Sequence, residues 1–119
     1  MAWAGRIAIA AAVLAALTST SFAGGGQSFA GKASYYGKDY TGRVASGAKY
    51  DPEKFTCAHK TLPFGTKLRV TGGNGRTVVV IVNDRGPFTG GRVLDLSLAA
   101  ARELQMVNRG VISVKAEPL

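Results

Sequence analysis

The chain has 119 residues, with 15 Lys and Arg against 7 Asp and Glu, a net charge of +8, one His and one Cys. A single Cys excludes an intramolecular disulfide, and with a single His it excludes a zinc site of the Cys/His type. The length suits one domain with a modest core, and the positive surplus directs it toward acidic polymers or anionic surfaces.

Met1–Arg6 carries one cation, and Ile7–Leu17 is an unbroken apolar run. Ser21 and Ala23 then supply small residues just ahead of a cleavage position. That is the three-part layout of a secretory signal. The apolar run falls well short of the about 20 residues that a membrane span needs. Residues 1–23 are therefore expected to be a signal peptide cleaved after Ala23, with no stable membrane insertion afterwards. Losing Arg6 takes the cations from 15 to 14 against the same 7 carboxylates. Export turns that charge away from nucleic acid and toward the acidic polymers of an envelope. Residues 24–30 begin GGGQS and are read as a flexible leader; residues 31–119 are read as the folded domain.

Lys32–Gly37, KASYYG, predicts an aromatic-rich first strand. Arg43–Gly65 is interrupted by Gly, Asp-Pro and Pro and predicts irregular chain. In Thr66–Thr71, Leu68 and Val70 alternate with Lys67 and Arg69, the pattern of a half-buried strand. Asn74–Gly75 is a strong hairpin signal. Its partner, Thr77–Val82, is apolar on both faces and predicts a central strand. Arg92–Ser97 predicts another strand, after which Ser97 is placed to cap one helix, Leu98–Met106, with a stripe of Leu98, Ala101 and Leu104 or Gln105. Gly110–Glu117 predicts a closing strand with Ile112, Val114 and Ala116 on one face. About six short strands and one helix fit a small closed barrel, a mainly β fold.

Few side chains are placed for chemistry. Val78–Phe88, VVVIVNDRGPF, passes from aliphatic residues into Asp84 and Arg85 with no taper. Asp84 ends a strand on a stiff Gly86–Pro87 turn, where a carboxylate keeps the geometry acid–base work requires. Asp is also an ordinary turn residue that bonds its own backbone. His59 is the side chain that titrates nearest neutral pH, with a structural role as its plain alternative. Cys57 reads as a small buried hydrophobe. Asp95 alternates with Leu94 and Leu96, so it faces away from them, with Arg92 or Arg85 as its expected partner.

In order along the chain stand ASYYG (Ala33–Gly37), TCAHKTLPFGTKLRVT (Thr56–Thr71), VVVIVNDRGPF (Val78–Phe88) and GRVLDLSLAAARELQM (Gly91–Met106). Together they resemble the rare lipoprotein A family of bacterial envelope proteins, over about Gly31–Glu117. The resemblance implies a six-stranded double-psi β-barrel with one short helix, the fold of expansins and some lytic transglycosylases. It implies glycan strands of peptidoglycan, poor in stem peptides, as the partner. It also implies Asp84 and His59 as the functional pair. No metal and no cofactor is expected, and the default is a monomer.

The chemistry follows from the substrate. A lytic transglycosylase needs an acid to protonate the leaving glycosidic oxygen. The sugar's own 6-hydroxyl then closes on C1, leaving a 1,6-anhydro end, and the acid returns as a base. Asp84 can do this if it is partly desolvated and Arg85 points elsewhere, toward Asp95 or substrate. Tyr35, Tyr36, Tyr40 and Phe88 offer faces for stacking on sugars. Ala48 stands where the family often has a glutamate, with Asp51 or Glu53 as candidate substitutes. The expected function is an exported lytic transglycosylase of the periplasm or cell envelope. The alternative is a non-catalytic, expansin-like module that binds or loosens the wall.

Overall fold

The computed structural model describes residues 26–119. The expected signal peptide, and Gly24 and Gly25 of the leader, lie outside the described residues. The strands are β1 (Phe29–Tyr35), β2 (Thr56–Ala58), β3 (Lys67–Gly72), β4 (Thr77–Asp84), β5 (Arg92–Leu96) and β6 (Ile112–Pro118), with one helix, α1 (Leu98–Glu103), before β6. They close in the order β1-β5-β2-β4-β3-β6. The pairs β1·β5 and β2·β4 are parallel, and the other pairings are antiparallel. This is the six-stranded double-psi barrel, mainly β with one short helix, that the sequence implied.

Three details of the strands depart from expectation. β1 begins at Phe29, so Phe29 and Ala30, assigned to the leader, pair with Ala116 and Lys115 of β6. β2 lies inside the stretch expected to be irregular, where three residues are too few for a period to declare itself. It is nonetheless the strand that joins β4 to β5. The third departure is β4, whose two apolar faces differ: Val78, Val80 and Val82 are buried while Val79 and Ile81 are about 40% exposed. A barrel wall has one interior side, so only alternate residues reach it.

The interior is filled by Leu68, Val70, Val80, Val82, Leu94 and Leu96, and Ala100, Ala101, Leu104 and Met106 pack against them from α1 and its exit. Asn74–Gly75 makes the β3–β4 turn as predicted: Gly75 has φ +85 and its N–H donates to Gly72 O at 3.0 Å. Ser97 is the N-cap, fully buried, and its Oγ accepts from Ala100 N and Thr56 N, both at 3.3 Å.

α1 stops three residues short of its expected Met106 end. Met106 N donates to Ala101 O and Gln105 N to Arg102 O, both at 3.0 Å, the paired bonds of a Schellman ending. The left-handed position of that motif is held by Gln105, with φ 56, where glycine is the residue without strain. Gln105→Gly is expected to raise stability by about 0.5 kcal/mol, the relief of strain exceeding the added freedom of the unfolded chain. Denaturant midpoints of the two proteins measure this.

Candidate active site

β4 delivers Asp84 to the rim of the barrel. Along β4, Val78, Val80 and Val82 point in, and strict alternation would turn Asp84 inward as well. Instead Cys57 pairs with Val82 and Ala58 with Asp84, so the register slips by one residue at Asn83. An extra residue in one strand re-aims the side chain that follows it, and Asp84 swings out of the core. There its Oδ1 accepts from Ala45 N at 2.7 Å and from Arg85 N at 2.9 Å. Its Oδ2 accepts from the Tyr36 hydroxyl. A carboxylate oxygen offers two lone pairs, so Oδ1 is fully engaged and Oδ2 keeps one free position. No cation pairs with Asp84 among the described residues.

Arg85 is drawn elsewhere. Its guanidinium donates to Leu62 O at 2.8 Å and His59 O at 3.2 Å, and lies 4.2 Å from the centre of the Phe64 ring. It therefore anchors the 59–64 turn, and it pairs with neither Asp84 nor Asp95. Of the two partners expected for Asp95, Arg85 is thus not the one: its guanidinium is held by the carbonyls of His59 and Leu62 instead.

His59 is tied to the same turn. Its Nδ1 accepts from Thr61 N and Leu62 N, both at 3.0 Å, and its ring meets Phe29 edge to face at 5.1 Å. Its link to Asp84 is through the backbone, His59 N to Asp84 O at 3.2 Å. The two side chains are not hydrogen-bonded to each other among the described residues, and the His59 Nδ1 is engaged by its own turn. Burial, then the charges of Arg85 and Lys60, push the imidazole below its ordinary value of 6.5. The neutral form with its proton on Nε2 is thus the resident one. A histidine whose folded value is lowered stabilises the fold fully above the unfolded value, and the benefit fades as pH falls through about 6.5. Stability is expected to drop between pH 7 and 5, and His59→Gln to flatten that part of the curve, as thermal midpoints across the range test.

The tyrosines divide by face. Tyr35 turns inward, its hydroxyl donating to Val107 O at 2.7 Å, which removes it from the expected stacking surface. Tyr36 stacks on Tyr50 at 4.5 Å, and Tyr40 closes against both rings. Burial first, then the bond to Asp84 and the charges of Asp84 and Asp95, raise the Tyr36 phenol far above its ordinary value. Tyr36 is thus a permanent hydroxyl donor aimed at Asp84. Phe88, 81% exposed, stands free just past the turn.

Asp51 is exposed and its Oδ1 accepts from Glu53 N at 2.9 Å, while Glu53 pairs with Arg102 at 3.1 Å. Both proposed substitutes for the glutamate replaced by Ala48 are engaged in their own turn and surface pair, and neither bonds to Asp84 or Tyr36 among the described residues. Cys57 is fully buried, and burial with the charge of Asp95 pushes its thiol up to about 12, which leaves it inert.

Asp95 lies closer to Asp84 than sequence distance suggests. Ala58 pairs with Asp84 on one side and with Asp95 on the other. Asp95 accepts from the Ser34 hydroxyl, and Ser34 Oγ accepts from Arg92 Nη1 at 3.2 Å. The expected Arg92 partner therefore reaches Asp95 through Ser34. Ser34 itself escaped notice, although its two-residue spacing from Tyr36 was a usable signal.

A profile of the lytic transglycolase family matches residues 28–116. The chain belongs to that family. Over 96 residues it is 55% identical to the probable endolytic peptidoglycan transglycosylase RlpA of Nostoc sp., covering 77% of this chain and 26% of that protein. Over 91 residues it is 52% identical to the endolytic peptidoglycan transglycosylase RlpA of Neisseria meningitidis, covering 75% and 38%. The chain thus spans about a quarter to two fifths of these relatives. Among solved structures, an expansin of Clavibacter michiganensis superposes with a TM-score of 0.63 at 26% identity, covering 78% of this chain and 50% of that one. The Streptomyces papain inhibitor superposes at 0.61 with 32% identity, covering 76% and 94%. Within the family's barrel, the motifs that carried the resemblance converge here: NDRGPF brings Asp84 to the rim, and AHKTLPFG forms the turn that Arg85 clamps. Among the described residues no group of three or more His, Cys, Asp and Glu is arranged to hold a metal.

Proposed function

We propose that this barrel is an exported peptidoglycan lytic transglycosylase, acting in the periplasm or cell envelope as a monomer. It cuts peptide-poor glycan strands and leaves 1,6-anhydro ends. Asp84 gives its proton to the leaving glycosidic oxygen from the free position on Oδ2, while Tyr36 and two backbone N–H groups hold the carboxyl in place. His59 assists by shaping the 59–64 turn beside it, with Arg85 as the clamp. Phe88 is the exposed ring for stacking on a sugar face. The observation that carries this reading is a rim carboxylate held by three donors, free of any cation, with one position open. The peptidoglycan transglycosylases among its relatives support it. So does the charge: the ion pairs Arg69–Glu117, Arg76–Glu103 and Arg102–Glu53 occupy three carboxylates, which leaves a cationic surface for an acidic polymer.

The second reading, an expansin-like module that binds or loosens the wall without cutting, is favoured by Ala48 and by the distance of Asp51 and Glu53 from the site's bonds. Incubation with peptide-free glycan strands, followed by mass spectrometry, separates the two. Anhydro-ended fragments support the enzyme; retained glycan binding with no fragments establishes the module.

A further inference from the structure

The loop that locks Asp84 also carries cations that the proposed chemistry leaves idle. Ala45 N, one of the three donors to Asp84, sits in a tight turn closed by Val44 N to Ala48 O and Gly47 N to Val44 O, both at 2.9 Å. The arms of that turn pair at Arg43 and Lys49. Tyr50 follows, its ring stacked 4.5 Å from that of Tyr36, whose hydroxyl reaches Asp84. Tyr50 also lines an open cavity of about 310 Å³, together with Lys49, Asp51, Pro52 and Lys54. Two aromatic rings therefore connect the cavity to the acid. Its volume is that of about ten liquid waters, which is room for a small acidic arm of a sugar.

Both lysines are presented by fixed backbone. The bridge to Arg43 holds Lys49. Lys54 N donates to Asp51 O at 3.2 Å, and Ala99 N to Pro52 O at 2.9 Å, which ties that turn to α1. Neither ammonium takes part in an ion pair among the described residues. Glu53, the acid next to Lys54, is taken by Arg102. Ala48, the residue before Lys49, stands where the family often has a glutamate. Asp51 is the acid in the lining, and its Oδ1 already accepts from Glu53 N. Two free cations against one engaged carboxylate suit the cavity to a single anionic group.

The proposed substrate supplies such a group. Each muramic acid residue of a glycan strand carries a three-carbon lactyl arm on its ring. With a stem peptide attached, that arm ends in a neutral amide; with the peptide removed, it ends in a free carboxylate. We infer that Lys49 and Lys54 form a carboxylate subsite that reads the free lactyl arm of a muramic acid residue, and so selects peptide-free strands. The inference rests on the peptidoglycan reading above and gives its preference for peptide-poor glycan a physical cause. An amide-linked arm brings no charge to the two ammonium groups. Asp51 works against the anion, so neutralising it should tighten the grip.

The test measures binding of end-labelled, peptide-free glycan strands to the purified protein, first with free lactyl carboxylates and then after methyl esterification, which removes the charge and keeps the sugar. Wild type is expected to bind the free acid about 3–20-fold more tightly than the ester, an advantage that shrinks as salt rises. The double variant Lys49→Gln, Lys54→Gln is expected to bind the two alike, with its thermal midpoint kept because both side chains are exposed. The control Lys67→Gln, Lys115→Gln removes the same charge from β3 and β6 and is expected to keep the discrimination. Asp51→Asn is expected to widen it about 2–5-fold. Discrimination that survives without Lys49 and Lys54 would overturn the subsite. So would an equal loss in the Lys67 and Lys115 control, which would leave only diffuse charge. None of these readouts needs cleavage. A wild type that prefers the acid but forms no anhydro ends sinks the transglycosylase reading and leaves the subsite standing. Anhydro ends from a wild type indifferent to esterification keep the enzyme and remove the subsite.

Discussion

Asp84→Asn is expected to cut the formation of anhydro ends by about 10²–10⁴-fold, the usual worth of a positioned acid, while the barrel stays folded and still binds glycan. The amide keeps the shape of the carboxyl. Its oxygen can accept from Ala45 N and Arg85 N as Asp84 Oδ1 does, and the Tyr36 hydroxyl can rotate to accept from the new N–H. The loss therefore falls on the one thing an amide lacks, a proton it can give to a leaving oxygen. Mass spectrometry of the products, with co-sedimentation as the binding control, reads both quantities. A variant that releases fragments at the wild-type rate would remove Asp84 from the chemistry.

Leu96→Ala is expected to be the most damaging change to the fold among conservative truncations. Leu96 is fully buried and pairs with Tyr35 on β1 and Cys57 on β2, so it stands where the two parallel pairs meet. The residue after it caps α1. Removing the branched end of a buried leucine costs about 2–5 kcal/mol, because the surrounding wall relaxes only partly into the cavity. A domain of this size has about 5–14 kcal/mol of stability in all. At about 4–8 °C per kcal/mol, calorimetry should find the midpoint lower by at least about 8 °C. Asp95 is the neighbour of Leu96, so the same slackness should reach the site. Retained stability would mean that the interior repacks around this position.

Much of this was readable in order along the chain. The Asn74–Gly75 turn and the Ser97 cap are local devices, in which one or two residues satisfy backbone demands within a few positions of themselves, and both stand where they were read. Asp84 was read as a strand-end carboxylate on a stiff turn for the same reason. β2 was missed because three residues carry no period. The outer face of β4 was misjudged because Val79 and Ile81 are as apolar as their buried neighbours, and nothing local says which side of a wall is the inside. Arg85 was assigned by charge alone. The carbonyls of His59 and Leu62 that hold it come from a turn more than twenty positions earlier in the chain.

What the sequence determined by itself is the barrel, the family and the strand-end position of the Asp84 carboxylate, since each rests on alternation, turn residues or motifs contained in short segments. The tertiary structure alone decided how those segments serve one another. The register slip at Asn83 turns Asp84 outward, Tyr36 and Ala45 lock it, and Arg85 clamps a distant turn instead of neutralising its neighbour. Above all, β2 brings Asp95 alongside Asp84, because strand order in a closed barrel follows hydrogen-bond pairing across the wall, and that pairing has no counterpart in linear distance.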